Sequence, residues 1–266
     1  VSTPLASGKA DVTVDFDHHA VAPGTEVFDM FRGLRETCPV AWSERYGGHW
    51  IVTRHDDVGR VLRDSRHFSS TRELVPGGGT TQHIPSMDMP PMIPSELDPP
   101  ASLVYRRAIN PALSPQAIER MAGRVRHWVD HYLDAIADEP RADLIYAFAA
   151  PVPAAVTVEW IGLPLEDLPV IVTAYHDYFG HPPTHERGLA AKKTLDWLFG
   201  RIGELLEERR AQPRDDVLSY LVAQEIDGRP ITLDEAHRIA AILVAGGVET
   251  TTTAVSWMIL HLSRHH

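Results

Sequence analysis

The feature that most limits how this chain can fold is a long, proline-free apolar run near its end, from Ile231 to Leu262. Thr232 and Glu235 stand at the spacing of a capping box, in which each end of the pair satisfies an otherwise unpaired backbone N–H. Asp234 adds negative charge where a helix N-terminus favours it. A helix carried through to the end of the chain would be about 50 Å long, enough to cross a whole domain. Its middle is apolar on nearly all sides, which places it inside a core rather than on a surface.

The centre of that run breaks the rules for a helix. Gly246 and Gly247 are adjacent, and each mid-helix glycine costs about 1 kcal/mol relative to alanine. Thr250 to Thr253 follow, and threonine hydroxyls compete for helix carbonyls. Glu249 puts a carboxylate among apolar residues, which is costly unless it is paired, hydrated or neutralised. A weakened helix centre carrying an acid beside an alcohol reads as a site. Two blander readings stand beside it. One is a membrane span, long enough and with one formal charge between Ile239 and Leu262, though the glycines, threonines and Glu249 weaken insertion. The other is a core helix with packing glycines and no chemistry.

Before this run the chain reads as short helices around one small β region. Glu26 to Glu36 has helical spacing in Phe28, Met30, Phe31 and Leu34. Cys38 to Ser43 and His49 to Thr53 bracket Gly47-Gly48 as a β-hairpin, and a short helix starts at His55. Residues 73–100 are rich in proline, glycine and methionine and show no periodicity, so they read as a long loop. Helices then follow, among them a largely apolar one from Asp143 to Pro164, then others from Asp167 to Phe179, from Glu186 to Arg210 and from Asp215 to Ala223. The predicted fold is mainly α with a small β region, in a single domain over 1–266.

Composition removes several classes. A net charge of −11 argues against general nucleic-acid binding. The single cysteine, Cys38, allows no internal disulfide, which suits a cytoplasmic protein. The N-terminus lacks a signal-peptide layout, and no other segment could span a membrane. Gly77-Gly78-Gly79 is no phosphate loop, because no strand precedes it and no Gly-Lys-Ser/Thr follows. His127 and His131 have ligand spacing but no evident third partner, and read as a surface pair.

Ala245-Gly246-Gly247-Val248-Glu249-Thr250-Thr251 resembles the oxygen-binding motif in the long distal helix of the cytochrome P450 family, the haem-thiolate monooxygenases, written Ala/Gly-Gly-x-Asp/Glu-Thr-Thr/Ser. Earlier segments agree. The hairpin with Trp50-Ile51-Val52-Thr53-Arg54, Asp56-Asp57-Val58 and Phe68-Ser69-Ser70 is similar to the opening of soluble bacterial members. Asp98-Pro99-Pro100 to Arg106, and Asn110-Pro111 to Pro115, resemble the family's Asp-Pro-Pro-x-His-x-x-x-Arg and Asn-Pro-x-Phe-Ser-Pro segments. Ser102 stands where the family usually has histidine.

The resemblance implies a haem b cofactor, with Arg106 and Ser102 at a propionate and Ala245, Gly246 and Thr250 against the ring. It implies oxygen bound where Gly246 and Gly247 let the helix open, and Glu249 and Thr250 as the proton-handling pair. It implies an apolar small-molecule substrate, in a pocket lined by Met87, Met89, Ala241, Val244, Ala245 and Val248. Electrons would come ultimately from NAD(P)H through a ferredoxin-type donor, steered by the basic island of Arg120, Arg124 and Arg126. The family's Phe-x-x-Gly-x-x-x-Cys-x-Gly loop, whose thiolate binds the iron, has no match here. Cys38 lies in the hairpin region and is not expected to be that ligand. Glu207 to Arg210 and Glu235 to Arg238 match a family Glu-x-x-Arg by spacing, but both precede the motif. The expectation is therefore a P450-like fold ending after the distal helix, incomplete at the C-terminus and inactive without the axial cysteine. The alternative is a haem-free helical module that binds a small molecule or a partner, including a sensor with a two-helix lid. It would show no Soret band.

Overall fold

In a computed structural model, the described residues are 12–18, 20, 26–86, 91–181 and 185–265. They fall into two compact units, residues 1–91 with 96–99, and residues 92–95 with 100–266. Met87, Met89, Pro182, Pro183 and Thr184 lie outside the described residues.

The first unit begins with α1 (Glu26–Thr37), followed by β1 (Val40–Ser43), β2 (His49–Val52) and α2 (His55–Arg63). The strands pair antiparallel with Trp42 opposite Trp50, and these rings meet edge-on at 5.1 Å. Alternation puts Ala41 and Ile51 on one face, where they form a small core with Phe16, flanked by Phe31, Leu34 and Cys38. Buried Ser43 donates its hydroxyl to the Phe16 carbonyl at 2.8 Å, tying the N-terminal segment to the hairpin.

The stretch expected to be a structureless loop has internal order. It contains 3-10 turns at Arg72–Leu74 and Pro76–Gly78. The Glu96 carboxylate, 2% exposed, accepts from Thr80 Oγ1 at 2.6 Å, Thr81 N at 2.7 Å and Arg72 Nε at 2.9 Å. A buried carboxylate must be paired and hydrogen-bonded to be tolerated, and here those bonds gather a segment of low propensity around one side chain.

The second unit is helical. It contains α3 (Ala101–Ile109), α4 (Pro115–Asp134), a π-turn (Ile145–Ala149), α5 (Pro151–Ile161), α6 (Leu168–Gly180), α7 (Glu186–Ala211) and α8 (Val217–Val222). A two-residue ribbon, β3 (Glu225–Ile226) and β4 (Arg229–Pro230), leads into α9 (Leu233–Arg264). The helix predicted from Asp143 to Pro164 is thus a π-turn followed by an α-helix, with Pro151, which has no N–H to give, at the junction. The turn after α5 needs Gly162, which has φ +99° and whose missing Cβ leaves room for the Asp216 side chain. Asp216 caps α8 through Ser219 N at 2.8 Å and pairs with buried Arg209 at 2.6 Å.

The predicted capping box is present at the start of α9. Glu235 also accepts from Tyr105 Oη at 2.6 Å and from both terminal nitrogens of Arg229, at 2.6 and 2.9 Å. Five donors on one carboxylate anchor the helix N-terminus to α3 and the ribbon. Ile239, Ala240 and Val244 are completely buried, as are Ala154, Ala155, Val158 and Ile161 of α5. By length and composition α9 could cross a membrane; it is packed against α5, α7 and α8, with most of its buried side chains at or before Val248.

Candidate functional site

The predicted site residues lie in the middle of α9, and the backbone there differs from expectation. The helix runs as regular α through both glycines and all four threonines. The local opening expected at Gly246 and Gly247 is absent. Packing explains why: a Cβ built on Gly247 would lie 2.4 Å from Thr157 Oγ1 and 2.8 Å from Thr157 Cγ2. The missing side chain of Gly247 lets α9 approach Thr157 of α5 closely. The interhelical contact it permits offsets its helix penalty of about 1 kcal/mol.

Gly246 behaves differently. It is exposed, and nothing lies within 4 Å of where its Cβ would be. One turn on, Thr250 is also exposed and donates its hydroxyl to the Gly246 carbonyl at 2.7 Å. That bond occupies the hydroxyl proton and leaves the oxygen able to accept. Thr252 and Ser256 form the same back-bonds, to Val248 O at 2.9 Å and Thr252 O at 2.8 Å. These hydroxyls supplement the ladder without breaking it. Thr252, 4% exposed, is a structural member of the threonine run that the sequence alone did not single out.

Glu249 is half-buried, and desolvation pushes its carboxyl above the ordinary glutamate range. The nearby charge of His176 on α6 acts in the opposite direction. The His176 ring is in turn 2.8 Å, at Nε2, from the hydroxyl of Tyr146 in the π-turn. Neither His176 nor Tyr146 stood out in the sequence. They lie 30 residues apart, and no spacing rule links them.

The other predicted residues separate into groups. Val244 and Val248 are sealed in the core at 0% and 2% exposure, Ala241 is buried, and Ala245 is half-buried. Arg106 is exposed on α3, and no ion pair or side-chain hydrogen bond engages it among the described residues. Ser102, one turn earlier, is buried, so the two do not present a joint pair of donors. On α4, Arg120 and Arg126 are exposed, while Arg124 pairs with Glu159. His127 and His131 stack at 6.4 Å as a surface pair. A cavity of about 600 Å³ between α4, α5 and α8 is lined by Arg120, Met121, Trp160 and Tyr220 among others. Another of about 420 Å³ lies between α6 and α7. Neither is lined by α9.

The exposed face of α9 fits one side of a flat apolar group. Gly246, Thr250 and Ala254 are small and exposed at intervals of four residues, so they share one face. The free guanidinium of Arg106 suits a carboxylate. The described residues do not supply a thiolate. The Cys38 thiol is directed to backbone carbonyls, at 3.5 Å from Val40 O and 3.8 Å from Val12 O, beside the core of the first unit.

A scan against protein-family models finds none that matches. Curated relatives do match. Erythromycin C-12 hydroxylase from Saccharopolyspora erythraea is 32% identical over 92% of this chain and 60% of its own length. Linalool 8-monooxygenase from Pseudomonas putida is 30% identical over 89% of this chain and 60% of its own length. Among solved structures, the cytochrome P450 PksS of the Bacillus subtilis bacillaene polyketide synthase superposes with a TM-score of 0.75 at 26% identity, covering 89% of this chain and 59% of that one. The chain thus spans about three fifths of the length of these relatives.

Proposed function

Because this chain belongs to the cytochrome P450 family, we propose that it carries the oxygen-handling helix of a haem-dependent monooxygenase acting on an apolar small molecule. When bound, haem supplies an iron centre at which O₂ is reduced and one oxygen atom is passed to a C–H bond. Exposed Gly246 and Thr250, with half-buried Ala245 beside them, would lie against the ring, and Arg106 would hold a propionate. The axial thiolate is not among the residues described here.

Thr250 can accept a hydrogen bond at its oxygen while its hydroxyl donates to the Gly246 carbonyl. Partial burial disfavours the charged form of Glu249 and so raises its affinity for a proton. An acid next to an alcohol forms a short relay from solvent to the open face: the Thr250 oxygen takes the incoming proton as its own hydroxyl proton leaves the Gly246 carbonyl for that face. Sealed Val244 and Val248 exclude water from the side of the helix away from that face. Exposed Arg120 and Arg126 on α4 attract an acidic, ferredoxin-type donor fed by NAD(P)H. The substrate is apolar, and the setting is a soluble, cytoplasmic one.

The observation that carries this reading is the adjacency of half-buried Glu249 to Thr250 on a helix face left open at Gly246. The test is coupling in the haem-loaded protein with its electron donor. Thr250→Ala raises hydrogen peroxide released per NAD(P)H consumed by about tenfold or more, at the expense of product. Unchanged coupling would remove the role assigned to Thr250.

A further inference from the structure

No residue of α9 lines the cavity of about 600 Å³ between α4, α5 and α8. Its volume is that of a small-molecule site, which spans about 300–1,000 Å³. Ala117, Met121, Val156 and Trp160 give it an apolar wall. Ala117 is buried, and the other three are half-buried.

Five charged side chains also line it: Arg120, Arg124, Glu159, Asp215 and Asp216. Three of them are matched. Arg124 pairs with Glu159, which also accepts from Trp128 Nε1 at 2.7 Å. Asp216 pairs with Arg209 at 2.6 Å and accepts from Ser219 N at 2.8 Å. The Tyr220 hydroxyl is committed to the Ala108 carbonyl at 2.7 Å. Arg120 and Asp215 are the remainder, and no ion pair or side-chain hydrogen bond engages either among the described residues. Arg120 stands on α4 and Asp215 just before α8, so they share a cavity without meeting each other. A lone anion would be drawn to Arg120 and repelled by Asp215, and a lone cation the reverse. A molecule carrying both charges gains from both walls.

We propose that this cavity binds a small zwitterion with an apolar body, the chemical class of free α-amino acids with aromatic or branched side chains. The ligand carboxylate sits on the Arg120 guanidinium, whose planar fork suits it. The ammonium sits on Asp215. The side chain packs on Trp160 and Met121, where an aromatic ring finds both an indole and a polarizable thioether. Glu159 does not repel the carboxylate as a bare charge would, because Arg124 and Trp128 already hold it. A zwitterion has no net charge, so filling the cavity leaves the basic character of α4 unaltered. The inference goes beyond the monooxygenase reading and does not depend on it.

The test is calorimetric titration of the haem-loaded, full chain at neutral pH with three probes that share an indole. L-Tryptophan carries both charges, indole-3-propionate only the carboxylate, and tryptamine only the ammonium. Tryptophan binds about tenfold more tightly than either of the others. Arg120→Gln weakens tryptophan to the level of tryptamine and leaves tryptamine bound no more weakly. Asp215→Asn weakens tryptophan to the level of indole-3-propionate and leaves indole-3-propionate bound no more weakly. Both side chains are exposed, so both variants fold. Absence of tryptophan binding overturns the proposal, and so does an affinity for tryptophan unchanged in either variant. The Soret band locates the ligand: tryptophan in this cavity leaves it in place. Binding that moves the band in step with occupancy puts the ligand beside the haem and overturns the proposal. The coupling measured with Thr250→Ala is a separate readout, so either reading can fail without the other.

Discussion

The two halves of α9 have similar composition and opposite surroundings. From Leu233 to Val248 most of the apolar side chains are buried in the second unit, with Ile239 and Val244 at 0% and Val248 at 2% exposure. From Glu249 onward the same kind of residue faces outward: Trp257 is 39% exposed, Met258 63% and Leu262 65%. Hydrophobicity fixes that a helix forms and that it seeks cover; it does not say what provides the cover. Along the first half, α5, α7 and α8 do so. The second half carries the acid and the alcohol, where a helix face remains accessible.

The sharpest way to break this contrast is to place a charge in each half. Val244→Asp buries an unpaired carboxylate and lowers unfolding free energy by about 4 kcal/mol. Met258→Asp changes it by less than about 0.7 kcal/mol, mostly through helix propensity. Urea denaturation of the two variants gives the comparison. A large loss at Met258 would mean that its face is covered by something other than the described residues.

The paired glycines sharpen the contrast at its midpoint. Gly247→Ala drives a methyl into Thr157 and costs about 1–2 kcal/mol even after the gain in helix propensity. Gly246→Ala meets open space and stabilises the chain by about 1 kcal/mol. Adding Thr157→Ala to Gly247→Ala restores most of the loss, because the two side chains compete for one volume. If both glycine variants shift the melting temperature equally, the assignment of separate roles is wrong.

These pairs also show how much was legible beforehand. The long helix, its capping box and the hairpin were readable because each depends on residues within a few positions of one another. The position of Glu249 beside Thr250 was readable for the same reason. The helix opening expected at Gly246 and Gly247 was misjudged, since the sequence treats two glycines as alike and only the α5 neighbour tells them apart. The order in residues 73–100 was hidden because Glu96 meets Arg72 and Thr80 from 24 and 16 residues away. The Tyr146–His176 contact was hidden for the same reason, with a π-turn that no periodicity announces.

The smallest expected effect compares the two carboxylates of α9 through pH. Arg229, Tyr105 and Thr232 hold Glu235 well below the ordinary glutamate range, so the unfolded chain binds its proton more readily. The stability Glu235 contributes is complete above the unfolded value and is lost as pH falls through the carboxylate range. Glu249 has the opposite sign. Its folded carboxyl is raised by burial, so the folded chain is the better proton binder, and stability declines as pH rises from the ordinary value near 4.5 toward the raised one. Glu235→Gln therefore flattens the acid limb of a stability–pH curve and lowers the plateau at neutral pH. Glu249→Gln flattens the decline above the ordinary glutamate value and leaves the acid limb in place. Guanidinium denaturation across this range decides the matter: two variants with curves parallel to the parent would mean that neither carboxylate changes its proton affinity on folding, and the two halves of the helix would be electrostatically alike.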